Sequence, residues 1–232
     1  PGLVVLPEGE AGEAFVAAGA AKFESTAPGT LLSAGVEQHL RAGVVALQQA
    51  GASLVTQAGT TDTGRCCHPN TLLRVSGEAF LGNPAGLQQE AFGNCALIVT
   101  ARDTTEMAAI AGVLEGNLTG CIYSDTRGSD DAAYNRIAAA LRPRVGRLLN
   151  DKMPTGVAVS PAMNHGGPFP STGHPGFTAV GIPASLRRFT MLECYDAVRP
   201  NRLPPALQDR NPTGVMWRLV DGAWTQGDSP RS

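Results

Sequence analysis

Cysteine beside histidine is a pairing that metal centres use, and Cys66, Cys67 and His68 stand in a row. Side chains at i and i+1 rarely converge on one ion without further ligands, so this trio reads as a loop or the start of a strand. The four histidines show no metal-like pairing on a helix, and no HExxH, GxSxG or GxxxxGK[ST] spacing occurs; no metal site is expected. His39 falls in a helical pattern and reads as structural, whereas His165 and His174 fall in a glycine-rich stretch that suits a polar contact to a substrate. Gly9-Glu10-Ala11-Gly12 sits between an apolar strand and a helix, as a phosphate-cradling loop would. It lacks the full GxGxxG spacing, and Glu8, Glu10 and Glu13 would repel phosphate, so it reads as a connection.

The elements that must position such residues alternate. Leu3 to Leu6 is a short buried strand, followed by a helix from Glu10 to Ser25 with apolar residues at Ala14, Phe15, Ala18 and Ala21. Ser33 can cap a second helix that runs to Ala50-Gly51, where glycine suits the C-terminal cap. Strands are predicted over Ala52 to Val55 and Leu72 to Val75. Cys95 to Thr100 is the strongest strand: its unbroken apolar run fits a parallel strand covered on both faces near a sheet centre. The alternation continues with a helix from Thr105 to Leu114, a strand from Gly120 to Tyr123, a helix from Asp130 to Leu141 and a strand from Gly146 to Leu149. Ser129, Asp130 and Asp131 favour that helix start, because carboxylates in the first turn complement the helix dipole. This order predicts an α/β, three-layer fold with a largely parallel sheet.

After Gly156-Val157-Ala158-Val159-Ser160, glycine and proline crowd residues 161–183. A compact domain tolerates an irregular stretch of that length chiefly where it builds a site. Beyond Arg199 the prolines predict an extended arm, and Met216 to Thr225, turning at Asp221-Gly222, has the pattern of a β-hairpin. Its tryptophans, Trp217 and Trp224, suit either strand addition to a neighbouring sheet, another subunit's included, or packing on the chain's own domain.

Composition narrows the partners. With 43% hydrophobic and 16% charged residues in 232, the chain can bury a sizeable core. The formal charge of −2 and scattered arginines make no basic stripe with interleaved aromatics, so nucleic acid is not an expected partner. No apolar run reaches the roughly 18 residues of a membrane span, so no membrane partner is expected either. The five cysteines, Cys66, Cys67, Cys95, Cys121 and Cys194, are irregularly spaced and suggest a reducing compartment and a cytoplasmic protein.

The first specific signal is Gln88-Gln89-Glu90-Ala91-Phe92-Gly93-Asn94, immediately before the strongest strand. It resembles the E-E-I-F-G-P segment of the aldehyde dehydrogenase superfamily, with departures at Gln89 and Asn94. Gly116-Asn117-Leu118-Thr119-Gly120-Cys121-Ile122-Tyr123 resembles that family's N-x-x-Y-G-L region with a changed spacing, and residues 156–160 resemble the strand before its substrate loop. The segments follow the family's order, over about the C-terminal half of a member. The resemblance implies NAD or NADP as cofactor, with Glu90 accepting hydrogen bonds from the nicotinamide ribose hydroxyls and Phe92 beside the ring. The stretch Pro161 to Pro175 departs from the common P-F-G-G-x-K-x-S-G pattern; with the ending Met216 to Gly222, it is similar to the subgroup that oxidises α-ketoglutaric semialdehyde (2,5-dioxopentanoate). By position, His165, Phe169 and Ser171 would line the aldehyde pocket.

The same resemblance implies what lies elsewhere. Pro1-Gly2 matches the end of the family's G-Q-x-C-T-x-P-G segment, which places the nucleophilic cysteine upstream of Pro1, and Pro1 is not an initiator methionine. The family's general-base glutamate, oxyanion-holding asparagine and main dinucleotide fold also lie upstream. In the family a thiolate attacks the aldehyde, hydride passes to nicotinamide and water hydrolyses the thioester. No catalytic residue is therefore expected in this chain, which is expected to be inactive alone and to need the missing N-terminal half. The expected organisation is a catalytic-domain core over 1–160, a substrate-loop region over 161–199 and a homo-oligomerisation arm over 200–232. The alternatives are a non-enzymatic folded remnant acting only in assembly, and an unrelated parallel α/β binding domain.

Overall fold

The computed structural model describes residues 2–59, 61, 64–156 and 160–229. It divides into two compact units, Pro1–Arg188 and Phe189–Ser232.

In the first unit, strand β4 (Cys95–Ala101) is buried at every residue and lies between β1 (Leu3–Pro7) and β3 (Asn70–Ser76). It is parallel to both, with Leu97 opposite Leu3 on one side and Leu73 on the other. The central, doubly covered strand expected from the apolar run is thus borne out. β2 (Ser53–Ala58) runs antiparallel along the free side of β3, with a register shift between Leu54 and Thr56, giving the order β1-β4-β3-β2.

Alternate β4 side chains feed two cores. Leu97 and Val99 meet Leu40, Val44 and Leu47 of α2 (Ala34–Gln49), while Ala96 and Ile98 meet Leu72 and Val16, the latter on α1 (Glu10–Ser25). Helices on both faces of a sheet are the three-layer α/β arrangement predicted above. Each side chain such as Leu73 or Leu97, taken wholly out of water, contributes roughly 1.5–3 kcal/mol of transfer free energy.

Local chemistry sets the element ends. Ser33 Oγ accepts the Val36 N–H at 3.3 Å at the start of α2, and Gly51 follows its end with φ 116°, a conformation open to glycine. Two short helices were not anticipated: α3 (Gly77–Gly82), capped by Ser76, and α4 (Pro84–Leu87), capped by Asn83 with Pro84 in its first turn. They bring Phe80 and Leu87 into the core beside α5 (Thr104–Val113), whose Ile110 is fully buried.

β5 (Asn117–Ile122) and β6 (Val145–Asn150) form a separate two-stranded parallel sheet, connected through α6 (Asp131–Leu141). Leu141 and Val145 pack with Ala111 of α5 in a third small core. Of the segment expected as a strand over 156–160, Val157, Ala158 and Val159 lie outside the described residues.

The second unit holds short 3-10 turns at Pro200–Arg202 and Pro205–Leu207 and the expected hairpin of β7 (Arg218–Val220) and β8 (Ala223–Thr225). Its two-residue turn, Asp221-Gly222, has φ 49° and 80°, positive at both central positions as a type I′ turn requires.

Candidate functional site

The Glu90–Phe92 segment is a connection pinned on both flanks. Ala91 turns inward and packs against the core that contains Leu40 and Val44, so its neighbours Glu90 and Phe92 face outward. Phe92 is 66% exposed, so its ring is open to solvent. The Glu90 carboxylate has no hydrogen-bond partner among the described residues, which leaves its oxygens available as acceptors for a diol. The segment thus carries an exposed acceptor two residues from an exposed aromatic ring.

Downstream, Asn94 fixes the entry to β4. Its Nδ2 donates to His68 O at 2.6 Å and to Asn70 Oδ1 at 2.8 Å, and its backbone O accepts from Thr71 N at 3.0 Å. Upstream, Gln88 Oε1 accepts the Glu115 N–H at 2.7 Å. Neither residue was singled out for a role in the sequence reading, because their partners lie more than twenty positions away. For Asn94 the departure from the family's proline was the available signal.

The glycine-rich stretch is docked on the β5–β6 sheet by its backbone. A Cβ on Gly146 would lie 1.5 Å from Gly166 O, so only glycine permits that approach. His165 N donates to Thr178 O at 3.0 Å, and an isolated bridge joins Asn164 to Ala179, closing the stretch on itself. The His165 ring and Phe169, 75% exposed, project outward. Ser171 differs: its Oγ donates to Pro168 O at 2.7 Å and so holds the turn, leaving its lone pairs as acceptors. His174 is exposed at the turn leading into Pro175–Phe177.

Between β6 and residues 162–164 runs an open cleft of about 450 Å³ lined by Arg142, Arg147 and Lys152 with Met163 and Asn164. One Arg142 donor is already taken by Val145 O at 2.7 Å.

The cysteines occupy unlike environments. Cys95 is buried in β4, and desolvation pushes its thiol up to about 11, far from the thiolate that nucleophilic attack needs. Cys67 is buried, Cys66 half-buried on the segment entering β3, and Cys121 Sγ lies 2.9 Å from Lys152 O. Cys194 is exposed in the second unit. Among the described residues no disulfide joins them, and no three His, Cys, Asp or Glu side chains converge as a metal set. Among the same residues no helix is long and apolar enough to cross a membrane.

No protein-family model matches the chain. It is 36% identical over 222 residues to alpha-ketoglutaric semialdehyde dehydrogenase 2 of Azospirillum brasilense, a match covering 96% of this chain and 41% of that protein. It is 31% identical over 227 residues to alpha-ketoglutaric semialdehyde dehydrogenase of Acinetobacter baylyi, covering 97% of this chain and 42% of that one. The chain thus spans about two fifths of the length of these curated relatives. Among solved structures, succinic semialdehyde dehydrogenase of Streptococcus pyogenes in complex with NADP+ shares the fold with a TM-score of 0.56 at 17% identity, over 71% of this chain and 35% of that one. Over nearly its whole length the chain is thus similar to aldehyde dehydrogenases, and the solved aldehyde dehydrogenases that share its fold match it with the C-terminal part of their chains.

Proposed function

We propose that this chain supplies the nicotinamide-ribose clamp and the aldehyde-facing wall of an enzyme that oxidises α-ketoglutaric semialdehyde. The reaction takes aldehyde, water and NAD(P)+ to carboxylic acid, NAD(P)H and a proton, the cofactor serving as hydride acceptor. The observation that carries this reading is the outward pair Glu90 and Phe92 on a segment held by inward Ala91. Support for the substrate comes from the names of the two relatives that match over nearly the whole chain.

In this reading Glu90 accepts hydrogen bonds from the ribose hydroxyls, which fixes the nicotinamide end of the cofactor, and the Phe92 face limits where the ring can lie. His165, Phe169 and Ser171 shape the aldehyde pocket, Phe169 by excluding water and Ser171 through its unshared lone pairs. Residues 1–160 act as the catalytic-domain core, 161–199 as the substrate-loop region and 200–232 as an arm for a second copy. For the arm, the support is that Trp217 and Trp224 are 62% and 68% exposed on the hairpin, with Leu219 directly opposite Trp224. The nucleophile and general base belong to the region of the relatives that this chain does not span, so the chain alone is inactive. The buried, weakly acidic Cys95 supports that assignment. Five irregularly spaced cysteines, with no disulfide among the described residues, suit the cytoplasm.

The test is cofactor affinity in an enzyme completed with that remaining region. Hydrogen bonds to a charged group are worth about 1.5–3 kcal/mol, so Glu90→Gln should weaken NAD(P)H binding roughly tenfold or more. Phe92→Ala should weaken it less. Unchanged affinity in both variants would remove the clamp from the account.

A further inference from the structure

We infer that Gln88 is a positioning residue that ties the cofactor clamp to the aldehyde loop, an inference that rests on the function proposed above. Gln88 stands two residues before Glu90 and four before Phe92. Its side chain leaves that segment: Oε1 accepts the Glu115 N–H at 2.7 Å, with Nε2 3.5 Å from Val113 O. The next amide faces the other half of the site, Gly116 N donating to Phe169 O at 3.2 Å. Two consecutive backbone donors are therefore aimed one at each half, and residues 115–116 form a rigid link between them.

The link is short because position 116 has no side chain. A Cβ there would lie 2.0 Å from Pro168 O and 2.4 Å from Phe169 O, so the loop can seat only against glycine. The link is also anchored from behind. Asn117 Nδ2 donates to Glu115 O at 2.9 Å, and Asn117 begins β5, paired with Val145 of β6. Held at both ends, residues 115–116 cannot follow one half without moving the other. Gln88 touches neither cofactor nor aldehyde in this arrangement. It acts through Glu115 and Gly116, so a change made on the cofactor side is felt on the aldehyde side.

The acceptor oxygen carries the tie, which separates two substitutions of similar size. Gln88→Leu removes the acceptor, whereas Gln88→Glu keeps it. Losing one net hydrogen bond of about 1 kcal/mol corresponds to roughly fivefold to tenfold faster amide exchange. In this 232-residue chain, hydrogen exchange should quicken by about that factor at Glu115 and also at Gly116, which Gln88 does not itself bond. The β4 amides should keep their rates, and Gln88→Glu should restore protection at both positions. In the completed enzyme, Gln88→Leu should raise the aldehyde KM together with the cofactor KM while kcat changes less. Faster exchange confined to Glu115, or a cofactor KM that rises with an unchanged aldehyde KM, would overturn the tie and leave Gln88 a local cap. A completed wild-type enzyme that reduces no NAD(P) would instead count against the proposed function, and the exchange comparison would still decide whether Gln88 couples the two segments.

Discussion

The four-stranded sheet and the C-terminal hairpin unit are stabilised by opposite means. Around β4, Leu40, Leu73, Leu97, Val99 and Ile110 are buried, and the ordering force is removal of apolar surface from water. In the second unit the large side chains Trp217, Leu219 and Trp224 are exposed, and polar clamps hold the backbone. Arg218 donates to the carbonyls of Gln208, Asp209 and Gly227 at 2.6, 3.0 and 2.8 Å. Asn211 donates through Nδ2 to Met216 O and Gln226 O, and its Oδ1 accepts from Gly214 N. Apolar burial is non-directional and tolerates some repacking, whereas a clamp of named donors and acceptors fails when one member is lost. The sheet should therefore respond to volume and the hairpin to hydrogen-bond geometry.

The largest expected effect comes from the sheet. Leu97→Ala, at the centre of the middle strand, should cost about 2–5 kcal/mol in denaturant unfolding, since the neighbouring strands on both sides keep the cavity open. A loss under 1 kcal/mol would mean that β4 is not the cooperative centre. Next is Gly146→Ala, which forces a Cβ onto Gly166 O. Overpacking of that kind costs about 1–3 kcal/mol, and exchange protection at the His165 amide should fall with it. Protection that stays intact would show that the loop is not seated there.

A smaller, local effect tests the other member of the comparison. Arg218→Lys keeps the charge but not the fork of donors, so tryptophan fluorescence and hairpin exchange should change while the unfolding midpoint of the sheet stays put. A matching shift of that midpoint would make the two units one cooperative body. The smallest effect is electrostatic. Glu106 is buried, and the Arg102 guanidinium, followed by the Arg102 backbone N–H, holds its carboxyl below the usual range. Because the folded value is depressed, its contribution is complete above the unfolded pKa of about 4.3 and is lost as pH falls from there through the folded value. Glu106→Gln should flatten the acid side of the stability profile, and an unaltered slope below about pH 4.5 would contradict the assignment.

The same contrast explains what could be read in the amino-acid sequence. α2, α5, α6 and the central β4 are legible because burial leaves an apolar trace and caps such as Ser33 are local, whereas α1 has the expected extent but not the expected face: Ala14, Phe15, Ala18 and Ala21 are exposed, and Gly12 and Val16 are the buried residues. The hairpin turn is legible because Asp-Gly encodes positive φ. Three features are not. The antiparallel direction of β2 and the separation of β5–β6 into their own sheet depend on long-range pairing, and α3 and α4 are too short to show periodicity. Within the candidate site, Glu90 and Phe92 stand out through a motif, but Gln88 and Asn94 act on partners 27 and 26 positions away. A hydrogen bond of that span leaves no spacing rule to read.

The measurement that tests the central claim most directly is aldehyde-dependent NAD(P)H formation with α-ketoglutaric semialdehyde. It should be assayed on these 232 residues alone and on the enzyme completed with the region found in the relatives. The account predicts turnover by the completed enzyme, no turnover by this chain, and weaker cofactor binding when Glu90 is replaced in the former. Turnover by the 232 residues alone would contradict it, because a nucleophile and a base would then have to lie among residues to which no such role has been assigned.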